Sequence, residues 1–285
     1  MPKLRIDRAF SIGVARPWKR ITQRSNKPAV PILMYHGIQK KLDKNQHPYF
    51  ETNTYPELFA QHMQFLHESG YKTVTVQDAV SAAVHGQNGH KLVAITFDDG
   101  FADFYTHAFP VLAQYQMTAT MYLVSDWTRE QRFTREEKEF LTWSEIREMQ
   151  AHGIRFGSHT VSHPILYSLG ASELEFEIRR SKESIENKLG KAVHSFAYPY
   201  AFPEQDRNFT QQVRGFLQSS GYRNGVTTIL GTANPQSDAY FLPRLPVNSH
   251  DDLTFFKAKL EGGYDWLHSA QYLSKTVKRI YRGRQ

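Results

Sequence analysis

The sequence contains no cysteine, so disulfides are excluded and the redox compartment leaves no trace in the chain. It also lacks any apolar run approaching the roughly eighteen residues that a membrane-spanning helix needs. The N-terminal region is basic but has no long apolar stretch behind it. Phe10-Ser11-Ile12-Gly13-Val14-Ala15 is too short for a signal peptide and runs directly into Arg16-Pro17-Trp18-Lys19-Arg20. A cytoplasmic protein is therefore expected, either free or at the inner face of the membrane. Internal repeats, low-complexity tracts and obvious linkers are missing too, which at 285 residues favours one large domain.

What is present suits a globular α/β protein. The chain is 40% hydrophobic and 13% aromatic, enough for a substantial core and unlike a disordered segment. Thirty-five Lys and Arg against twenty-eight Asp and Glu give a formal charge of +7, which points to an anionic neighbourhood. The basic residues gather at the ends: Lys3, Arg5, Arg8, Arg16, Lys19, Arg20 and Arg24 first, then Lys275, Lys278, Arg279, Arg282 and Arg284. Each cluster reads as a solvated face or as a weak membrane-surface contact. A nucleic-acid partner is not expected.

Apolar runs and helical spacings alternate along the chain. Strands are predicted over 29–35, 72–74, 91–97, 118–124, 154–157, 194–198, 222–226 and 240–247. Helices are predicted over 55–69, 76–84, 104–115, 142–153, 172–189, 208–220, 251–260 and about 265–281, while 1–27, 39–54 and 126–140 read as irregular or loop. Thr142-Trp143-Ser144-Glu145 carries a capping-box pattern. Strand and helix alternating in this way imply parallel strands with crossover helices, in a barrel-like (β/α) arrangement rather than an open sheet. The expected organisation is a basic lead-in over 1–28, a main domain over 29–262 and a basic C-terminal helix over 263–285.

The strand at 91–97 ends on two adjacent carboxylates, Asp98 and Asp99, followed by Gly100. Buried acids repel each other and cost desolvation energy, so a pair needs a reason. One reason is a helix cap near Phe101; the other is a metal or catalysis. About sixty residues on, Ser158-His159-Thr160-Val161-Ser162-His163-Pro164 offers two histidines four apart, which a helical turn would point the same way. It too follows a predicted strand. In parallel β/α folds the strand C-termini share one face, so the acids and the histidines are expected to meet. Two imidazoles and one carboxylate with open positions form a catalytic metal set, with zinc the commonest fit and iron served by the same donors. A second carboxylate is then free to act as general base on a metal-activated water. Phe97, Phe101, Trp127 and Trp143 read as core, and Asp103 as a helix cap.

Ile95-Thr96-Phe97-Asp98-Asp99-Gly100 and His159-Thr160-Val161-Ser162-His163 resemble the first two motifs of the polysaccharide deacetylases, the NodB-homology proteins of carbohydrate esterase family 4. Pro31-Ile32-Leu33-Met34-Tyr35-His36-Gly37 and Phe196-Ala197-Tyr198-Pro199-Tyr200 resemble the opening strand and third motif of the branch that includes the poly-β-1,6-N-acetylglucosamine deacetylases. The resemblance covers roughly residues 29–250. It implies a single-domain, distorted (β/α)7-type barrel of the NodB-homology fold and removal of acetyl groups from an N-acetylated glycan or a lipid-linked sugar. It implies that Asp98 is the general base. It also implies that Asp99, His159 and His163 hold a divalent metal, zinc first, with iron, cobalt, nickel or manganese as alternatives. Pro199 and Tyr200 fall in the third-motif groove, where a backbone N–H at Tyr200 can stabilise an oxyanion.

Two departures from the family pattern stand out. Ala197 replaces an arginine that in many members holds the catalytic Asp, so something else must orient Asp98. Ala201 replaces a glycine. The family's late Leu-x-His motif, source of the general acid, has no clean copy, since Leu267-His268 lacks the spacing. His250, just after the last predicted strand, and His36, at the end of the first, are the candidates. The rival readings are an O-deacetylase or other amide hydrolase on the same fold, and a non-catalytic glycan-binding protein that retains the metal ligands.

Overall fold

The computed structural model describes residues 5–22, 29–41, 47–85 and 91–272. The apolar runs become parallel strands: β1 (Ile32–Tyr35), β2 (Tyr71–Val74), β3 (Lys91–Phe97), β4 (Thr120–Leu123), β5 (Arg155–Ser158), β6 (Ser195–Ala197), β7 (Asn224–Leu230) and β8 (Leu242–Pro246). Their order is β1-β8-β7-β6-β5-β4-β3, and β1 returns to pair with β3 through Leu33↔Ile95 and Met34↔Thr96. Seven strands thus close a barrel. β2 pairs only with the first part of β3, ending at Val74↔Ala94, and β1 pairs with β3 from Ala94 onward. The (β/α)7 expectation is met, with β2 as a strand outside the closed ring.

Alternation along the strands sorts side chains between two layers. Leu33, Tyr35, Ile95 and Phe97 join the large cluster under the helices, whereas Ile32, Ala94, Tyr122, Ala197, Val226 and Leu242 form a smaller cluster within the ring. Asp98 has the parity of Ala94, and Arg244 that of Leu242. Both side chains therefore face the barrel interior. Gly157 belongs to this packing: a Cβ there would lie 2.4 Å from the Tyr122 ring, which fills the space instead.

The helices form for legible reasons. α2 (Pro56–Glu68) starts on a proline at its first position and buries Phe59, Met63 and Leu66 at helical spacing. α3 (Val76–His85) and α4 (residues 104–114) follow β2 and β3, α4 opening with a π-helical turn over Phe104–Ala108. α5 (Trp143–Ala151) has both arms of the Thr142–Glu145 capping box. α6 (Ala171–Leu189) stops at Gly190 in the left-handed region, φ 64°. α7 (Arg207–Ser219) and α8 (Leu253–Leu260) are capped by Asp206 and Asp252. Residues 266–272 are helical, and the rest of the expected last helix lies outside the described residues. No helix among the described residues is long and apolar enough to cross a membrane.

Two expectations change. The 126–140 loop contains a short antiparallel hairpin, Phe133–Arg135 with Lys138–Phe140. Residues 6–22, expected to be irregular, form α1, a leading helix with a π-helical middle. Its inner side packs on residues 252–266: Arg16 and Arg20 pair with Glu261, Lys19 with Asp265, Arg8 with Asp252, and Phe10 meets Trp266 edge-on. The spacing of Ile6, Phe10, Val14 and Trp18 was helical, but the interleaved basic residues masked it. Lys3, Arg24 and the whole C-terminal basic cluster lie outside the described residues.

Candidate active site

The site collects the residues that follow successive strands. Asp98 and Asp99 follow β3, His159 and His163 follow β5, Pro199 and Tyr200 follow β6, and His36 follows β1. The turns that aim them are strained. Asp99, Thr160, His163 and Tyr200 have φ of 74°, 72°, 61° and 56°, a region that side-chain-bearing residues rarely occupy. Gly100, φ 78°, continues the turn at Asp99. The two histidines therefore converge through a turn containing left-handed residues, not through the helical turn that their spacing suggested.

Asp99, His159 and His163 place one ligand atom each within 4.8 Å of one another, the only such group of acids and histidines among the described residues. Asp99 Oδ1 lies 3.5 Å from His159 Nε2 and 3.4 Å from His163 Nε2. That oxygen is buried and has no hydrogen-bond partner. His159 Nδ1 lies 2.8 Å from the Ala197 carbonyl and so donates to it, which turns the Nε2 lone pair toward Asp99. Burial pushes His163 down to about 4, helped by the charge of His159, so its imidazole is neutral at neutral pH. Burial opposes ionisation of Asp99, but the facing rings of His159, His36 and His163 outweigh it and lower its pKa. His159 is raised: burial lowers it, and the adjoining carboxylates of Asp99 and Asp98 more than compensate. The cluster is thus an anionic, imidazole-lined seat asking for positive charge. An orphaned carboxylate oxygen with two inward Nε2 atoms fits a divalent cation.

The loop between the histidines is held from α6. The Glu177 carboxylate accepts from the Val161 N–H (2.8 Å), the Ser162 N–H (3.0 Å) and the Ser162 hydroxyl (2.8 Å). Thr160 Oγ1 accepts from the His163 N–H at 3.0 Å. These contacts stabilise the unfavourable φ values at Thr160 and His163. Sequence reading missed Glu177, which looks like one more acid on an amphipathic helix.

Asp98 is 2% exposed and is gripped from across the barrel. Arg244, fully buried on β8, donates from Nη1 to Oδ1 and from Nη2 to Oδ2, both at 2.7 Å. Its Nε–H goes to the Thr227 carbonyl at 2.9 Å. Burial tends to raise Asp98, but the guanidinium wins and keeps it below the ordinary carboxylate range. Arg244 therefore stands where the sequence left a gap at Ala197. Its signal was readable in Leu242-Pro243-Arg244-Leu245-Pro246, a lone cation inside an apolar strand, which demands a buried acid.

His36 Nε2 lies 3.9 Å from Asp98 Oδ2, and burial lowers its pKa. His250 lies elsewhere: after burial, the groups acting most on it are Arg5, Glu51, Asp251 and His47. His268 bonds Glu204 at 2.7 Å. Tyr200 is half exposed, and its ring lies 4.6 Å from that of His163, opposite Trp127 at 5.3 Å. Pro199 is buried. Phe97, Phe101 and Trp143 are core, as expected, whereas Trp127 is a wall of the site. Asp103 makes no side-chain cap bond to the helix after it.

Residues 85–224, which contain both acids and both histidines, match the profile of the polysaccharide deacetylase family. YxkH of Bacillus subtilis (strain 168), a protein named for the same family, is 31% identical over 244 residues, covering 84% of this chain and 78% of its own. A poly-β-1,6-N-acetyl-D-glucosamine N-deacetylase of Staphylococcus aureus (strain MRSA252) is 22% identical over 249 residues, covering 81% and 82%. The Streptococcus pyogenes deacetylase PplD, solved with acetate, superposes with a TM-score of 0.70 at 25% identity, covering 82% of this chain and 99% of PplD.

Proposed function

Because this chain belongs to the polysaccharide deacetylase family, we propose that it is a metal-dependent hydrolase that removes N-acetyl groups from an N-acetylglucosamine-type glycan. The substrate is a polysaccharide or a lipid-linked precursor of one; the latter would place the enzyme at a membrane surface. The observation that carries the reading is one carboxylate aimed into an imidazole cluster beside a second carboxylate clamped by Arg244. We assign catalysis to the domain over 29–262, with 1–28 and 263–285 appended to it.

Asp99, His159 and His163 would hold the cation, with zinc the first choice and iron, cobalt, nickel or manganese suited to the same donors. When bound, it supplies Lewis acidity toward a carbonyl and a more acidic water. Asp98 takes the proton from the attacking water, and Arg244 keeps both of its oxygens in place for that transfer. The acetamide carbonyl becomes tetrahedral, the C–N bond breaks, and acetate leaves with a free amine. The amine needs a proton, and we assign its delivery to His36, which lies 3.9 Å from Asp98 and relays the proton that Asp98 has taken from water. Tyr200 and Trp127 flank His163 and give a sugar ring two apolar walls.

The test is acetate release from an N-acetylglucosamine oligomer by metal-loaded protein. Wild type is expected to release acetate, Asp98→Asn to lose roughly two orders of magnitude or more in kcat, and His36→Ala to fall further than His250→Ala. Full activity in Asp98→Asn would remove Asp98 from its role. Release from an O-acetyl ester but never from the amide would favour the O-deacetylase alternative. The binding-only reading rests on Ala197 and on the missing late histidine motif; the grip of Arg244 on Asp98 answers the first.

A further inference from the structure

The leading helix is built inside out. All but one of its charged residues turn toward the protein, where Arg8, Arg16 and Lys19 are neutralised by Asp252, Glu261 and Asp265, and Asp7 bonds Arg5 and Tyr264. Its outer face carries Ile6, Val14, Trp18 and Ile21, between 52% and 70% exposed, with Phe10 at its edge, 41% exposed and packed on Trp266. Ala9, Gly13 and Pro17 fill the gaps between them, also exposed. Residues three and four apart lie on one face of a helix, so these positions form one continuous stripe. The one charged residue among the exposed positions of this helix, Arg20, is paired with Glu261. A water-facing helix normally presents the opposite pattern.

We propose that this stripe is a membrane-docking surface that seats in the interface of a lipid bilayer, with the helix lying in the plane of the membrane. Size argues against a second copy of the chain as the occupant. A helix of this length extends about 25 Å at about 1.5 Å per residue. A stripe of that length and about 10 Å wide offers on the order of 250 Å², against the roughly 800 Å² per partner of a stable dimer. A bilayer interface needs no such area from one helix, and it favours the composition seen: aliphatic anchors with one Trp and one Phe. The formal charge of +7 suits anionic headgroups around the stripe. The contact is apolar, so it does not depend on the basic side chains, which are already engaged.

The experiment is flotation of the full chain with vesicles of mixed phosphatidylcholine and phosphatidylglycerol, at low and high salt. The protein is expected to float with the vesicles at both. Trp18→Glu combined with Ile21→Glu alters two solvent-facing side chains, so the melting temperature should hold while flotation falls tenfold or more. Trp18→Phe should keep flotation and abolish a vesicle-induced blue shift of the tryptophan emission. Failure of the unmodified chain to float would overturn the proposal. So would unchanged flotation of the double variant, or a solution dimer by equilibrium sedimentation that the double variant dissociates.

Discussion

Asp98, at the end of β3, is gripped by Arg244 from β8 across the barrel. The carboxylate needs both oxygens fixed, and a guanidinium is the group whose planar fork does this. The pair is fully buried, so removing one partner strands the other charge, at a cost of about 3–5 kcal/mol. Arg244→Ala is therefore expected to lower the melting temperature clearly. Arg244→Lys separates the two effects. It keeps the charge but loses the fork, so kcat should fall on the order of 100-fold through misplacement of the base while KM stays near wild type. An unchanged kcat in Arg244→Lys would show that Asp98 does not depend on its grip. Glu177 acts one step further out, through the backbone that aims His163. Glu177→Gln weakens its three acceptor contacts, and metal affinity, read by competition with a chromogenic chelator, should drop roughly 10–100-fold. An affinity within twofold of wild type would reduce Glu177 to a packing role.

Among the elements, α2 carries a group whose titration is visible at the level of folding. His62 is fully buried, its ring stacked on Phe256 with centroids 4.0 Å apart. Its Nδ1 pairs with the Tyr35 hydroxyl at 3.1 Å and its Nε2 with the Asp251 carbonyl at 2.7 Å. The arrangement suits a neutral imidazole that donates from Nε2 and accepts at Nδ1. Burial depresses its pKa to about 4. In the unfolded chain the group titrates near 6.5, so its contribution to stability is present above that pH and is lost as pH falls toward 4. By linkage the loss between pH 7 and 4.5 is on the order of 2–3 kcal/mol. His62→Gln can keep a donor and an acceptor but cannot protonate. Chemical denaturation at both pH values should show a smaller acid loss in this variant, and an equal loss in both proteins would sink the assignment.

The elements also show what was legible in advance. Strands and helices of the barrel could be placed because both faces of β3 and β4 are apolar and because caps such as Thr142 and Gly190 are local signals. Asp98, Asp99, His159 and His163 could be paired because parallel topology sends strand ends to one rim. Arg244 announced itself as a lone cation in an apolar strand without naming its acid, and Glu177 and the wall formed by Trp127 gave no signal. Each acts on a partner between 15 and 146 residues away, and no local pattern records such a distance. The leading helix was obscured for a different reason: its polar face turns inward, so the usual amphipathic expectation assigns it to no core.

At the scale of the whole molecule, the cation seat ties the turn after β3 to the turn after β5, with β4 between them. A cation that binds this arrangement and not the unfolded chain must stabilise the barrel by mass action, by about 2.7 kcal/mol when its free concentration is 100 times Kd. For a chain of this size each kcal/mol moves the melting temperature by about 2–4 °C. Chelation with EDTA should then lower the melting temperature by roughly 5–10 °C, and added zinc should restore it. Asp99→Asn removes the carboxylate whose Oδ1 has no other partner, so the same cycle of chelation and zinc should leave its melting temperature unmoved. This readout needs no substrate, and it separates loss of metal from loss of chemistry. A chelation shift of equal size in Asp99→Asn would place the stabilising cation somewhere other than between Asp99, His159 and His163.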